Sequence, residues 1–161
     1  MPERAENKAR SVKPTHRGIK ARLEIGWCEM VDIPSLGLSQ VHAKMDTGAA
    51  TSSIHASRVK PVIRDNNPWV EFWFRPNAGE KPKRYEAAII ERRTVRSSNG
   101  LREERYVIAA QFCFGTLCWQ GQLTLANRRS MAFPLLIGRR ALRRGFLVNS
   151  GRRWVLGKPP Q

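Results

Sequence analysis

The sequence predicts an all-β protein formed by a single folded domain. Its 161 residues are the usual length of one domain. Hydrophobic residues make up 41% of the chain, which is enough to bury a core and excludes a fully disordered or fibrous protein. From Ile25 onward, short runs of β-branched and aromatic residues are separated by Pro, Gly, Asn and Ser, which is typical of strands joined by turns.

Seven segments carry the strand pattern and one carries a helix pattern. The predicted strands are, in chain order, 25–33, 41–45, 69–74, 85–95, 105–114, 117–126 and 134–137. Neither face of the first of these is cleanly apolar, so we expect it to be covered on both sides. A single short helix is predicted over 139–144, directly after Gly138.

Two turns are clear from their residues. Ser98-Asn99-Gly100 tolerates positive φ and is expected to close a hairpin that pairs Thr94-Val95 with Tyr106-Val107. Phe114-Gly115-Thr116 is expected to close the following hairpin. These turns predict antiparallel neighbours in the second half of the chain.

Charge is large and uneven. The chain carries 29 Lys and Arg against 13 Asp and Glu, a net charge of +16. Residues 1–20 read as a disordered basic tail, with six basic and two acidic residues, and 21–161 as the folded domain. The last 57 residues, 105–161, contain nine Arg, one Lys and no acid. Ordinary surfaces mix the two signs, so this excess predicts a face that meets anions.

The same composition narrows the class of protein. No apolar run is long enough to span a membrane, and the first twenty residues contain no apolar core of a signal peptide, so we expect an unexported, cytoplasmic protein without membrane contacts. The cysteine count is odd and lacks framework spacing, which favours a reducing compartment. We therefore expect Cys28, Cys113 and Cys118 to be small buried hydrophobic residues.

The most informative segment joins a predicted strand to a tight turn, Lys44-Met45-Asp46-Thr47-Gly48-Ala49. Gly48 allows a close backbone approach, and the Thr47 hydroxyl can hydrogen-bond to hold the turn. The arrangement predicts a positioned carboxylate at Asp46. Asp-Thr-Gly alone is a weak signal, because Asp and Gly are ordinary turn residues.

A second element strengthens that signal. About ninety residues later an apolar strand ends in Leu136-Ile137-Gly138-Arg139. The pair resembles aspartic proteases of the retropepsin type, and with Gly26-Trp27 and the turn at 96–100 it resembles a bacterial family known as ATP-dependent zinc proteases, often encoded beside ATP-grasp ligases. The resemblance covers about 23–156. It implies a single-lobe, retropepsin-like acid-protease barrel.

The resemblance also implies roles for individual residues. Asp46, Thr47 and Gly48 take the catalytic positions, and the substrate-binding positions fall on Ala49, on the flap residues Ser98, Asn99 and Gly100, and on Arg139 and Arg140. Leu136, Ile137 and Gly138 support the site from behind. Aspartic proteases use two carboxylates that share one proton, and this chain has one Asp-Thr-Gly. We therefore expect a homodimer with one Asp46 from each subunit.

Zinc and ATP have no visible site in the residues. There is no His-Glu-x-x-His motif, His42 and His55 have no partner at ligand spacing, and no phosphate-binding Gly-x-x-x-x-Gly-Lys loop is present. We expect no metal and no cofactor. A serine mechanism using Ser52 or Ser53 with His55 is the weaker enzymatic alternative, since residues so close in sequence seldom face each other.

One position departs from the retropepsin pattern and affects the expected substrate. Those enzymes usually have an acidic residue after Asp-Thr-Gly-Ala that pairs with the Gly-Arg arginine, whereas this chain has Ala50. Arg139 therefore either pairs elsewhere or faces the cleft. In the second case the basic pairs favour an acidic peptide or protein. The resemblance points to a glutamate tail that an ATP-grasp ligase adds to a ribosomal protein.

Two non-catalytic functions remain open at this point. The protein could be a basic module that binds RNA or ribosomes, with the tail and Arg pairs on phosphates and Trp69, Trp73 or Trp119 stacked on bases. It could also be an inactive retropepsin fold that regulates a neighbouring ATP-grasp ligase.

Overall fold

The strands are longer and more numerous than the sequence pattern indicates. The structure, a computed structural model, describes residues 22–96, 100–127 and 132–159. Within them lie the strands β1 (Leu23–Gly26), β2 (Cys28–Ile33), β3 (Leu38–Asp46), β4 (Ser52–His55), β5 (Ser57–Arg64), β6 (Asn67–Phe74), β7 (Lys83–Arg96), β8 (Arg102–Phe114), β9 (Leu117–Ala126), β10 (Leu135–Gly138) and β11 (Phe146–Asn149). A 3-10 turn (Pro34–Leu36) and a single-turn helix α1 (Arg139–Leu142) complete the described part.

Six of these strands close into a barrel. Hydrogen-bonded neighbours follow the order β2, β3, β10, β4, β9, β8, and a pairing of Asp32 with Cys113 joins β8 back to β2. Closure removes the open sheet edges that would otherwise attract another chain. β10 runs parallel to β3 on one side and antiparallel to β4 on the other, which brings the end of β3 beside the end of β10.

The sheet continues outside the barrel through β7, β6 and β5, which form antiparallel hairpins. β5 is the edge strand of this extension. Its sequence SRVKPVIR contains Pro61 and the exposed Lys60, and the pairing register shifts between Ser57 and Lys60. A proline, a charge and a bulge all oppose pairing with another strand, so this edge is protected against aggregation.

The core of the fold is apolar and takes side chains from the barrel strands and from β1 and β6. Fully buried side chains include Ile25, Val31, Val41, Ile54, Phe72, Phe112, Leu123, Leu135 and Ile137. In β3 buried residues alternate with outward ones from Val41 to Asp46, so the outward residues of this strand face a surface.

One buried carboxylate connects the start of the barrel to the end of the chain. Glu29 is fully buried, and its carboxylate accepts hydrogen bonds from the backbone N–H of Gly26 at 2.6 Å, Val155 at 2.8 Å and Leu156 at 3.3 Å. The backbone N–H of Trp154 also donates to the Cys28 carbonyl at 2.9 Å. The segment after β11 therefore covers β2 from outside, as expected for a strand with two covered faces.

The all-β class with one short helix is confirmed, and the prediction for β9 matches its bounds. The prediction of one continuous strand over 25–33 is wrong. Trp27 separates β1 from β2, and β1 pairs with β11 in a separate two-stranded sheet. β4, β5 and β11 were not predicted. The hairpin between β7 and β8 exists, but Thr94 and Val95 pair with Glu104 and Glu103, because both strands extend further toward the turn than predicted.

The cysteine prediction is wrong for two of the three residues. Cys113 and Cys118 are direct partners across the β8–β9 hairpin and form a disulfide, with Cα atoms 4.1 Å apart. Cys118 is exposed. Cys28 is buried and free, as expected. The two-residue turn Gly115-Thr116 produces this pairing, since it places residues 113 and 118 opposite each other.

Candidate active site

Asp46 lies at the end of β3, on its outward face. Val41, Ala43 and Met45 point into the core, so His42, Lys44 and Asp46 point outward. In the parallel pairing of β3 with β10, Asp46 lies opposite Gly138. The predicted strand-to-turn segment and the predicted Gly-Arg element are therefore neighbours in the structure.

The Asp46 carboxylate holds its own loop. Oδ1 accepts hydrogen bonds from the backbone N–H of Gly48 at 3.1 Å and of Ala49 at 3.2 Å. A Cβ added at Gly48 would lie 3.3 Å from this oxygen, so glycine keeps the carboxylate uncrowded. Thr47 is exposed, and among the described residues its side chain forms no hydrogen bond that holds the turn, contrary to the expectation.

Gly138 supports the loop by close contact. A Cβ at this position would lie 2.5 Å from both the carbonyl carbon and the oxygen of Thr51 and 2.9 Å from its nitrogen. The backbone N–H of Gly138 donates to the buried Ser52 hydroxyl at 3.0 Å. Leu136 and Ile137 are buried before it in β10. Leu136, Ile137 and Gly138 therefore lie in β10 beside the Asp46 loop, and their role as support of an active site stays a prediction. The contribution of Ser52 was not predicted.

The two arginines after Gly138 attach to the loop through backbone bonds. Their N–H groups donate to the carbonyls of Ala49 at 2.9 Å and Ala50 at 3.2 Å. The Arg139 guanidinium donates from Nη1 to the Gly48 carbonyl at 2.9 Å. This contact replaces the acidic partner that Ala50 cannot supply. Arg139 therefore pairs elsewhere, with the backbone of the Asp46 loop, and among the described residues it forms no ion pair.

Arg140 faces a different neighbour. It is exposed and lies close enough to Glu91 to contribute to the lowered pKa of that carboxyl, whose main cause is a hydrogen bond from Arg93. Gly100 is exposed with a φ of 82°, as its turn role requires. Ser98 and Asn99 lie outside the described residues, as do the tail 1–20 and the Arg128-Arg129 pair.

The other aspartates of the chain are far from this loop. Asp32 accepts a hydrogen bond from the Gln40 N–H at 2.7 Å, and Gln40 lies six residues, roughly 20 Å along a strand, from Asp46. Asp65 sits in the β5–β6 turn with a φ of 48°. Neither supplies a second carboxylate beside Asp46. A pair of carboxylates would therefore need the Asp46 of a second subunit, as in the expected homodimer.

Ser52 does not suit the serine alternative. Ser52 and Ser53 are adjacent in β4 and therefore point to opposite faces, and the Ser52 hydroxyl is already bonded to Gly138. No group of three or more His, Cys, Asp or Glu that could hold a metal ion occurs in residues 22–96, 100–127 and 132–159. Among the helices of that part, none is long and apolar enough to cross a membrane.

The three tryptophans considered for base stacking have limited free ring surface. Trp119 stacks on Phe112 and Phe114 at centroid distances of 5.8 and 5.2 Å. The Arg58 guanidinium lies over Trp73 at 5.4 Å. Trp69 is half-buried in β6. These contacts weigh against stacking of bases on Trp73 and Trp119.

A closed six-stranded barrel that carries Asp-Thr-Gly at the end of one strand, with a Gly-Arg element packed behind it, defines the class of retropepsin-like aspartic peptidases. The family model described as "RimB-like: Retropepsin-like aspartic endopeptidase RimB" matches residues 24–159. The chain belongs to this family. The retropepsin resemblance is thereby confirmed, whereas the zinc and ATP labels do not occur in the family's description.

Curated relatives carry a different name. The chain is 40% identical over 134 residues to a probable alpha-L-glutamate ligase of Shewanella pealeana and 41% identical to one of Shewanella halifaxensis. Another from Desulfotalea psychrophila is 33% identical over 140 residues. The matches cover 82 to 86% of this chain and 29 to 30% of those proteins. The chain therefore spans under a third of the length of these relatives.

A solved structure has the same fold. The crystal structure of the protein Lpg0085, of unknown function, from Legionella pneumophila aligns with a TM-score of 0.68 and 22% identity. The alignment covers 83% of this chain and 97% of that one. It supports the architecture of the barrel.

Proposed function

We propose that this protein is an aspartic-type peptidase that hydrolyses peptide or isopeptide bonds in an acidic protein, as a homodimer with one Asp46 per subunit. The observation that carries the proposal is the Asp46 carboxylate held on a loop by the Gly48 and Ala49 N–H groups. Membership of a retropepsin-like aspartic endopeptidase family supports the reaction class.

The loop suits a shared dyad. Oδ1 is anchored by two N–H groups, which leaves Oδ2 for the proton and the water that two carboxylates would share. Thr47 and Gly48 are exposed in one protomer, so a second copy can approach this loop along a two-fold axis. In the dimer one Asp46 acts as base on water and the other as acid toward the leaving amine.

A glutamate-rich substrate is supported by the relatives and by charge. In those proteins a segment like this chain belongs to a polypeptide named a probable alpha-L-glutamate ligase. Hydrolysis of the bond that such a ligase forms is the complementary reaction. The net charge of +16 favours binding of a polyanionic chain. A ribosomal protein as the tailed substrate, a ligase as partner and a cytoplasmic location belong to the same proposal.

The test compares two isosteric substitutions. Asp46→Asn keeps an oxygen for the Gly48 and Ala49 N–H groups but removes the ionisable carboxyl, so we expect an unchanged unfolding midpoint and loss of cleavage by at least about a thousandfold. Asp32→Asn makes the same change at a carboxylate that also accepts a backbone N–H, and should cleave normally.

The substrates are proteins tagged at the C-terminus with oligo-L-glutamate, and products are followed by mass spectrometry. Cleavage that survives Asp46→Asn would contradict the mechanism. No turnover by the wild-type dimer on any glutamate-tailed substrate would favour the inactive regulator, and steeply salt-dependent RNA binding without hydrolysis would favour the RNA or ribosome module.

A further inference from the structure

An open cleft among the described residues lies away from the Asp46 loop. It has a volume of about 1190 Å³ and runs between the outer face of β3 and the connection between β6 and β7. His42 and His55 form part of its inner wall, and Arg58, Arg75 and Lys81 lie along its rim. Sites for one small molecule are usually about 300–1,000 Å³, so this cleft has room for a segment of a polymer.

The cleft is basic without compensation. The part of its lining that the structure describes contains Arg58, Arg75 and Lys81 and no Asp or Glu. Among the described residues, Arg58, Arg75 and Lys81 form no ion pair, while Glu80, the nearest acid on the same connection, bonds to Asn77 at 2.7 Å and to Lys83 at 3.3 Å. The charge of the rim is therefore free to attract an anionic chain.

The rim cations are held by rigid surroundings. Arg75 precedes the buried Pro76, and Lys81 precedes Pro82, so each is followed by a residue with fixed φ. The Arg58 guanidinium rests over the Trp73 ring at 5.4 Å. Side chains and backbone that are ordered before binding lose less entropy when a ligand arrives.

The chemistry of the lining favours carboxylates over nucleic acid. Trp73, which lines the cleft, has Arg58 over its ring, and the His42 ring is stacked at 6.0 Å on Trp154. Single-stranded nucleic acid is held by free aromatic rings as well as by cations. A cleft with cations but with its rings already covered fits an acidic peptide better.

The cleft is connected to the catalytic loop through β3. His42 and Asp46 point to the same face of this strand and are four residues apart, roughly 13 Å. An extended peptide covers that distance with about four residues. A substrate held against His42 can therefore reach the Asp46 loop with about four further residues.

We propose that the cleft bordered by Arg58, Arg75 and Lys81 is a second binding site for the acidic chain of the substrate, separate from the bond that is cleaved. The proposal rests on the proposed function for its link to catalysis. The cleft supplies affinity for a carboxylate-rich segment, and the Asp46 loop acts on the same chain further along.

The binding test uses the full chain carrying Asp46→Asn, so that no cleavage interferes. Fluorescein-labelled deca-L-glutamate is titrated at low salt and followed by fluorescence anisotropy. Arg75→Gln with Lys81→Gln should weaken binding about tenfold, since both are exposed and unpaired. Lys60→Gln with Arg144→Gln removes the same charge from two exposed side chains outside the cleft and should weaken binding less than about threefold.

Two results would overturn the inference. Equal losses in both double variants would mean that net charge, and not the cleft, binds the peptide. Tighter binding of a ten-nucleotide oligouridine, lost in the Arg75 and Lys81 variant, would make the cleft a nucleic-acid surface.

Kinetics of the chain with Asp46 intact separate this inference from the proposed function. With a long acidic substrate, the cleft variant should raise KM about tenfold at unchanged kcat. If the cleft variant cleaves as well as the wild type, the proposed peptidase function is retained and the second binding site is refuted. If peptide binding depends on the cleft but no cleavage depends on Asp46, the second binding site is retained and the peptidase function is refuted.

Discussion

Gly138→Ala tests the packing that places the Asp46 loop. The backbone at Gly138 has φ −84° and ψ 167°, which alanine adopts freely, so any cost is steric. The new Cβ would lie within 3.0 Å of three backbone atoms of Thr51, and backbone cannot rotate away as a side chain can. We expect a loss of about 3 kcal/mol, at the upper end for overpacking.

For a domain of this size that loss lowers the unfolding midpoint by roughly 10 °C. Differential scanning calorimetry of the wild type and the variant measures it. Gly79→Ala is the matched control, because its Cβ meets nothing within 4 Å and its midpoint should stay within about 2 °C of the wild type. Equal unfolding midpoints for the two variants would show that a Cβ at position 138 does not clash with the Thr51 backbone. They would contradict the claim that close packing of Gly138 places the Asp46 loop.

Three further predictions concern the rest of the fold. Glu29→Gln places an NH₂ donor among three backbone donors and should lower the free energy of unfolding by about 3 kcal/mol. Proteolysis after β11 should also become faster. An unchanged unfolding midpoint would contradict the claim that Glu29 holds the segment after β11 on β2. The pKa of Glu86 is lowered from its ordinary 4.5, chiefly by a hydrogen bond from Arg64. The ionised Glu86 therefore stabilises the fold fully above pH 4.5, and this stabilisation is lost as the pH falls through the lower pKa of the folded state. Acid should lower the unfolding midpoint less in Glu86→Gln than in the wild type. The same decrease in both chains would contradict this. Burial raises the pKa of the Cys28 thiol, more than the nearby Arg153 lowers it, so iodoacetamide at pH 8 should modify Cys28 only after unfolding, and rapid labelling of the folded chain would contradict the placement.

Much of the candidate site was predictable because its signals are local. Asp46-Thr47-Gly48 and Gly138-Arg139 are short motifs at the ends of apolar strands, and the structure brings them together through the parallel pairing of β3 and β10. The bond from Gly138 to Ser52 was not predictable, because a serine in a run of small residues gives no sign of a partner 86 residues away.

The missed strands share a physical cause. β4 and β11 have four residues each, and they exist because distant strands pair with them, not because of their own propensity. β5 contains Pro61, which a strand tolerates only at a sheet edge, so its sequence did not indicate a strand. Buried Glu29 was hidden for a similar reason, since its three donors come from segments up to 127 residues away.

The central claim is that two Asp46 carboxylates, one from each subunit, form one active site. Wild-type chains are mixed with an equal amount of Asp46→Asn chains, subunit exchange is confirmed with differently tagged chains, and cleavage of a glutamate-tailed protein is measured per total protein. Random pairing leaves about one quarter of the dimers with two carboxylates, so the activity should fall to about one quarter of the wild-type value. A fall to about one half would show that each chain cleaves on its own and would contradict the shared site.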